Sequence, residues 1–296
     1  MRTKTVRQMT MDEFEAMLPN EDACKSYLKA RRWPEGVRCP RCGSDKVYEL
    51  KRAWHWQCRC SAMGSYRFSV LVGTIFENTN YPLQTWFKVI YLMLSSKKGM
   101  SALQIHRMIG TGSYSTAWYM CHRIRAGLNN AEFRKLVGFV EVDETFIGGK
   151  AKNKHRDKRG GGRGPSGKTP IIGAVSRGGK VVARVIDNVD TKTLDEFVNE
   201  TVSHKVSLIS TDDNAGYRFL GDHFNHGVVH HAAGEYVCGA VHTSTIDSFW
   251  SMIKRGIVGT FHKVSKKYLQ LYVAEFEFRY NNRKNPDIFG AAIGLC

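Results

Sequence analysis

The chain has 296 residues, a length that suits two or three domains, and 42% of them are hydrophobic, enough to build a real core. Forty-four Lys and Arg face 27 Asp and Glu, a net charge of +17, so the surface attracts a polyanion: nucleic acid first, an anionic membrane surface second. No apolar run is long enough to span a bilayer, and the N-terminal MRTKTVRQMTMDEF has no apolar signal core, so a cytoplasmic protein with no membrane partner is expected.

Residues 11–33 read as short amphipathic helices that Pro34 and Gly36 end. Strand-like runs follow at Lys46–Leu50 and Ala53–Gln57. Thr74–Tyr81 is a connector. Pro82 then opens a strongly apolar helix over Leu83–Ser95. Helices at Ser101–Ile109 and Tyr114–Gly127 flank a Gly-Thr-Gly turn. The period changes to that of a strand at Val137–Ile147. Residues 148–168 are Gly-rich and carry eight Lys/Arg against one Asp, which predicts a flexible basic loop. Ile171–Val175 and Lys180–Ile186 are strands joined by the hairpin signal Arg177-Gly178-Gly179. A helix over Thr191–Val202, an apolar strand at Val206–Ser210 and helices at Thr245–Ile257 and Ser265–Asn281 complete the reading. A metal-bound knuckle and a helical module thus precede an α/β core.

Cys39-Pro-Arg-Cys42-Gly43 has the spacing that lets two thiolates reach one tetrahedral ion, with Gly43 permitting the tight turn behind them. Cys58-Arg59-Cys60 follows with one residue between the thiols, where a zinc ribbon expects two. The ligand set is therefore Cys39, Cys42, Cys58 and Cys60 on structural zinc, with His55 as a possible substitute. In the helix pair, Arg123 and Arg125 are on the second helix, where such side chains reach phosphates or base edges.

Three acids stand out in the core. Asp143 lies late in a strand on the face of Glu141 and Thr145, Asp212 ends an apolar strand, and Asp247 sits in a helix. Acids at buried strand ends are costly unless compensated, and a hard divalent cation is the usual compensation. Three such acids suit a pair of ions that clamp the attacking and leaving oxygens of a phosphodiester. Lys254 lies two helical turns after Asp247 and shares its face.

At these residues the sequence resembles the zinc-ribbon DDE transposases of bacterial insertion sequences. The stretches that carry the likeness include Cys39-Pro-Arg-Cys42-Gly43, Lys98-Gly99-Met100-Ser101-Ala102, Val142-Asp143-Glu144-Thr145-Phe146-Ile147-Gly148-Gly149-Lys150, Ile172-Gly173-Ala174-Val175, Phe249-Trp250 and Phe278-Arg279-Tyr280-Asn281-Asn282-Arg283. The resemblance implies a ribonuclease H-like catalytic domain in which Asp143 and Asp212 are the first two carboxylates. Asp247 stands where the family has Glu, with Lys254 at the matching lysine. Ser244 stands at a usual Asn, Cys238 and Ala240 replace a basic and an acidic residue, and Ser61–Tyr66 looks like a small irregular insertion against the family pattern.

The expected organisation is a helical lead-in at 1–36, a zinc ribbon at 37–70, a helix-turn-helix-like DNA-binding module at 71–136 and a ribonuclease H-like mixed-sheet core at 137–290. The expected cofactors are two Mg²⁺ (or Mn²⁺) at Asp143, Asp212 and Asp247, plus structural Zn²⁺. The expected partner is double-stranded DNA, both the element's inverted repeats and its target, bound by a homo-oligomer at the bacterial nucleoid. Arg123, Arg125, Lys150, Lys152, Lys154, Arg163 and Arg255 are the expected DNA contacts. The expected activity is strand cleavage and strand transfer. The alternative is a transposase-derived DNA-binding protein with weakened or lost cleavage, which the Asp at position 247 favours.

Overall fold

The computed structural model describes residues 9–59, 64–129, 134–149, 167–230, 237 and 239–296. The chain divides into two compact units, one built from the first 128 residues together with Lys284–Cys296, the other from Asn129–Arg283.

The first unit opens with α1 (Met11–Met17), started by a capping box in which Thr10 and Glu13 exchange side-chain bonds with each other's backbone. Asn20 caps α2 (Glu21–Arg32), whose acids lie in the first turn and whose Lys and Arg lie in the last, matching the helix dipole. Three short antiparallel strands follow, β1 (Val47–Glu49), β2 (His55–Cys58) and β3 (Tyr66–Ser69). The segment read as an irregular insertion therefore ends in a strand, Tyr66 pairing with Cys58. Helix α3 (Leu83–Ser95) is buried on nearly every side, as its strongly apolar sequence requires. Helices α4 (Ala102–Ile109) and α5 (Tyr114–Leu128) come next. The unit closes with α10 (Ile288–Leu295), which packs on α2, α3 and α5. Phe14, Phe87 and Phe289 meet edge-on in its core, centroids 5.1 to 5.5 Å apart. The sequence boundary at 290 thus falls inside a helix of this first unit.

The second unit is a five-stranded mixed sheet. Its strands are β4 (Phe139–Ile147), β5 (Thr169–Ser176), β6 (Val181–Val185), β7 (Leu208–Asp212) and β8 (His226–Val229), in the order β6-β5-β4-β7-β8. β5 runs antiparallel to its two neighbours, β4 and β6; β7 and β8 run parallel to β4. Alternation along the strands splits the apolar side chains between two cores. Val140, Val142, Ile172, Ala174 and Val182 pack with Leu194, Phe197 and Val198 of α6 (Thr191–Thr201). Ile171, Val175, Val181 and Ala183 pack with α8 (Ser244–Gly256) and α9 (Lys266–Asn281). A 3-10 turn at Ala215–Tyr217 and α7 (Leu220–His223) link β7 to β8.

Strand β6 is an edge, and α9 covers it. Asn281 accepts from Val181 N at 2.8 Å, Glu277 from Ala183 N at 3.1 Å and Gln270 from Val185 N at 2.8 Å. Positions 270, 277 and 281 share one helix face, so they meet alternate residues of the strand and satisfy donors that would otherwise invite another strand.

Candidate active site

The sheet brings two of the three predicted acids together at adjacent strands. Carboxylate oxygens of Asp143 on β4, Glu144 beside it and Asp212 at the end of β7 lie within 4.8 Å of one another. Burial, followed by the charges of Glu144, Asp212 and Asp247, pushes the Asp143 carboxyl up to about 8. Its partner is neutral: Trp250 on α8 donates its indole N–H to Asp143 Oδ2 at 2.9 Å. Glu144, also pushed upward chiefly by burial, accepts from the Tyr217 hydroxyl at 2.6 Å and from the Asn214 side-chain amide. Asp212 accepts from Asn214 N at 3.2 Å. Clustered oxygens with neutral donors at Asp143 and Glu144 form a donor set suited to a hard divalent cation.

Asp247 is exposed on the first turn of α8, accepts from the Thr243 hydroxyl at 3.3 Å and stands outside the 4.8 Å cluster. Its charge nevertheless acts on Asp143. Lys254 and Arg255 are exposed further along the same helix. Glu144 escaped the sequence reading because it points to the opposite face of the strand from Asp143, toward the Tyr217 turn. Glu141 is fully buried and receives Arg177 Nε at 2.7 Å, Thr245 N at 2.7 Å and Ile246 N at 3.0 Å. It thereby fixes the start of α8 against β4, two residues before Asp143.

In the first unit, the sulfurs of Cys39, Cys42 and Cys58 lie within 4.8 Å of one another, Cys42 and Cys58 3.6 Å apart. Tetrahedral ligation at about 2.3 Å separates sulfurs by about 3.8 Å, so the three fit one zinc ion. Burial raises the Cys39 thiol, but hydrogen bonds from Arg41 and Cys42 outweigh it and the net direction is downward, toward thiolate. Gly43 takes φ 73° behind the knuckle, the left-handed turn its place predicts. Cys60 lies outside the described residues. His55 stands apart from this cluster: it sits three residues before Cys58 on β2, hence on the other face of the strand, and its Nδ1 bonds Ala53 O at 2.8 Å.

Arg125 is corrected. It is 1% exposed in the core of the first unit and presents no charge to a phosphate. Arg123 is half-buried, donating to Glu77 O at 2.7 Å and to the Tyr119 hydroxyl at 3.2 Å. Lys150, Lys152, Lys154 and Arg163 lie outside the described residues.

A cysteine cluster of zinc-ribbon type, with a mixed-sheet unit bearing clustered carboxylates on adjacent strands, defines a zinc-ribbon protein with a nuclease-type acidic site. Residues 135–281 match the ISXO2-like transposase domain, and residues 19–62 match the transposase zinc-ribbon domain. A protein of transposable element ISH50 from Halobacterium salinarum is 26% identical over 278 residues, covering 90% of this chain and 93% of that one. A transposase-like protein from Haemophilus influenzae is 30% identical over 104 residues, 35% of this chain and 82% of that one. The chain belongs to this family of insertion-sequence transposases.

Proposed function

We propose that the second unit cleaves DNA strands at the ends of an insertion sequence and joins the freed 3′ ends to target DNA. The observation that carries this reading is the carboxylate cluster of Asp143, Glu144 and Asp212 inside the segment that matches the transposase domain. Three antiparallel strands followed by two parallel ones, with helices on both faces, support a ribonuclease H-like architecture. Asp143, Asp212 and Asp247 would hold two Mg²⁺ or Mn²⁺ ions, which when bound activate the attacking oxygen and stabilise the leaving oxygen of a phosphodiester. Trp250 ties down one oxygen of Asp143, which would leave the other to act as the ligand. Thr243 orients Asp247. Lys254 pairs with a phosphate, and Arg255 with Lys150, Lys152, Lys154 and Arg163 supplies sequence-independent attraction for the backbone. The protein acts on paired ends as a homo-oligomer at the nucleoid.

The test is cleavage of a labelled duplex carrying the sequence that flanks the gene. Asp143→Asn abolishes Mg²⁺-dependent nicking and leaves DNA binding intact; retained nicking would sink the assignment. The place of Asp247 outside the cluster supports a second reading, a transposase-derived DNA-binding protein with weakened cleavage. That reading expects binding without nicking by the native chain.

A further inference from the structure

The helical stretch of the first unit that carries Arg123 and Arg125 has a property those arginines do not explain. Residues 78–131 contain six Lys and Arg but no Asp or Glu, in a chain with 27 acids. Within this carboxylate-free stretch the loop 78–81 and the N-terminal half of α5 enclose an open cleft of about 360 Å³. Asn78, Asn80, Ser115, Thr116, Tyr119 and Arg123 line it. Asn78, Asn80 and Ser115 are exposed, and Tyr119 is 54% exposed. Glu77, the nearest acid in sequence, turns its carboxylate to Gly73 N at 2.8 Å and gives Arg123 only its backbone oxygen.

The cleft is held in shape before anything enters it. Thr79 Oγ1 accepts from Trp86 Nε1 at 2.8 Å and from Tyr81 N at 3.1 Å, which fixes the loop to α3. The Tyr81 hydroxyl accepts from Gly112 N at 3.0 Å, which fixes the loop to the turn before α5. Arg123 lies over the rings of both Trp86 and Tyr119, each 5.9 Å from the guanidinium, so its charge faces the cleft from a fixed position. Amide, hydroxyl and phenol groups around one guanidinium, with no carboxylate to repel an anion, are the donor set that proteins use on DNA phosphates.

We propose that this cleft seats a phosphodiester segment of duplex DNA, and that the loop 78–81 with Ser115, Thr116, Tyr119 and Arg123, rather than Arg125, forms the DNA contact of the first unit. The inference rests on the reading of the chain as a protein that acts on DNA. It goes beyond that reading in naming the seat and in moving the contact off the buried arginine.

The test is binding of a fluorescent duplex, the gene-flanking sequence, by the full chain without added divalent metal, so that cleavage plays no part. Asn80→Asp places a carboxylate in the cleft with no change of size, and Tyr119→Ala removes one wall. Lys192→Gln, at an exposed position of α6, makes the same unit change in net charge elsewhere. Both cleft variants weaken binding by about tenfold, as expected for lost charge-assisted hydrogen bonds, whereas Lys192→Gln stays within about twofold. Arg123→Gln lowers the slope of log affinity against log salt by about one. Melting temperatures equal to wild type show that the variants are folded. Wild-type-like binding by Asn80→Asp and Tyr119→Ala overturns the cleft, whatever the wild type does to DNA in Mg²⁺. Weakened binding supports it even where the wild type leaves the duplex uncut, a result that would count against the cleavage reading alone.

Discussion

Gly173 and Trp250 fit together as notch and plate. Gly173 on β5 pairs with Asp143 on β4, and a Cβ built there would stand 2.6 Å from the outer edge of the Trp250 indole. Only a glycine lets the indole lie flat on the sheet and deliver its N–H to Asp143. The Gly in Ile172-Gly173-Ala174-Val175 and the Trp in Phe249-Trp250 are therefore one feature, split across the chain.

Gly173→Ala tests this without touching a polar group. The indole must shift, which costs about 1–3 kcal/mol of overpacking and loosens Asp143. The variant melts below wild type and nicks more slowly at equal DNA occupancy, and Trp250→Phe shows the same slowing because it lacks the N–H. Wild-type nicking by both variants would mean that Asp143 needs no orienting partner.

The legible parts of the molecule are those where one local signal decides. Pro82 and a strongly apolar run place α3, and the turn at Arg177–Gly179 places the β5–β6 hairpin. Asp143 and Asp212 stand out because acids within or at the end of apolar strands need a reason. Other features depend on contacts remote in sequence. Arg125 reads as surface because it is charged, yet α3, α4 and α10 all pack on α5 and bury it. Gly290 and Gly294 hide α10, whose helical state rests on packing rather than propensity. Glu144 joins the acidic cluster only through its register beside Asp212 and the reach of Tyr217. Strand β8 is four residues with a glycine, too short for periodicity to register.

Asp247 stands where the resemblance to the DDE transposases implies a glutamate. Aspartate is one methylene shorter than glutamate, and Asp247 stands outside the cluster of Asp143, Glu144 and Asp212. Asp247→Glu extends the carboxylate toward them, and nicking rises about tenfold or more, the size of one charge-assisted contact. Assays of both proteins in Mg²⁺ and in Mn²⁺ check this. A slower glutamate variant would show that the native aspartate already completes the site.

The zinc knuckle yields a composition experiment. Wild-type protein carries one zinc ion per chain, and Cys39→Ser, Cys42→Ser and Cys58→Ser each lose it. Structural zinc contributes on the order of 10 kcal/mol to such modules, so the ribbon unfolds with the metal. Cys60→Ser weakens retention, as expected if Cys60 supplies the fourth thiolate despite its short spacing from Cys58. His55→Ala keeps full zinc content because its ring is on the far face of β2. Loss of zinc from His55→Ala would restore the histidine as a ligand.

The covered edge of the sheet makes stability depend on pH in a definite direction. Burial pushes Glu277 up to about 7, against the opposing bond from Ala183 N and the charge of Arg184. A carboxyl raised from about 4.5 favours the folded state only while protonated. Its contribution is complete below pH 4.5 and is lost as pH rises through about 7. The loss is on the order of 3 kcal/mol, since each tenfold change in proton affinity between the folded and unfolded chain is worth about 1.4 kcal/mol. Glu277→Gln retains an oxygen to accept from Ala183 N but carries no charge to desolvate. Calorimetry of the two proteins between pH 5 and pH 8 should therefore give transitions of the second unit that nearly coincide at the acid end. At the alkaline end the glutamine variant melts several degrees higher. Parallel curves across the range would mean that Glu277 ionises in the folded protein as freely as in the unfolded chain. The helix would then shield β6 with Asn281 and Gln270 at no electrostatic cost.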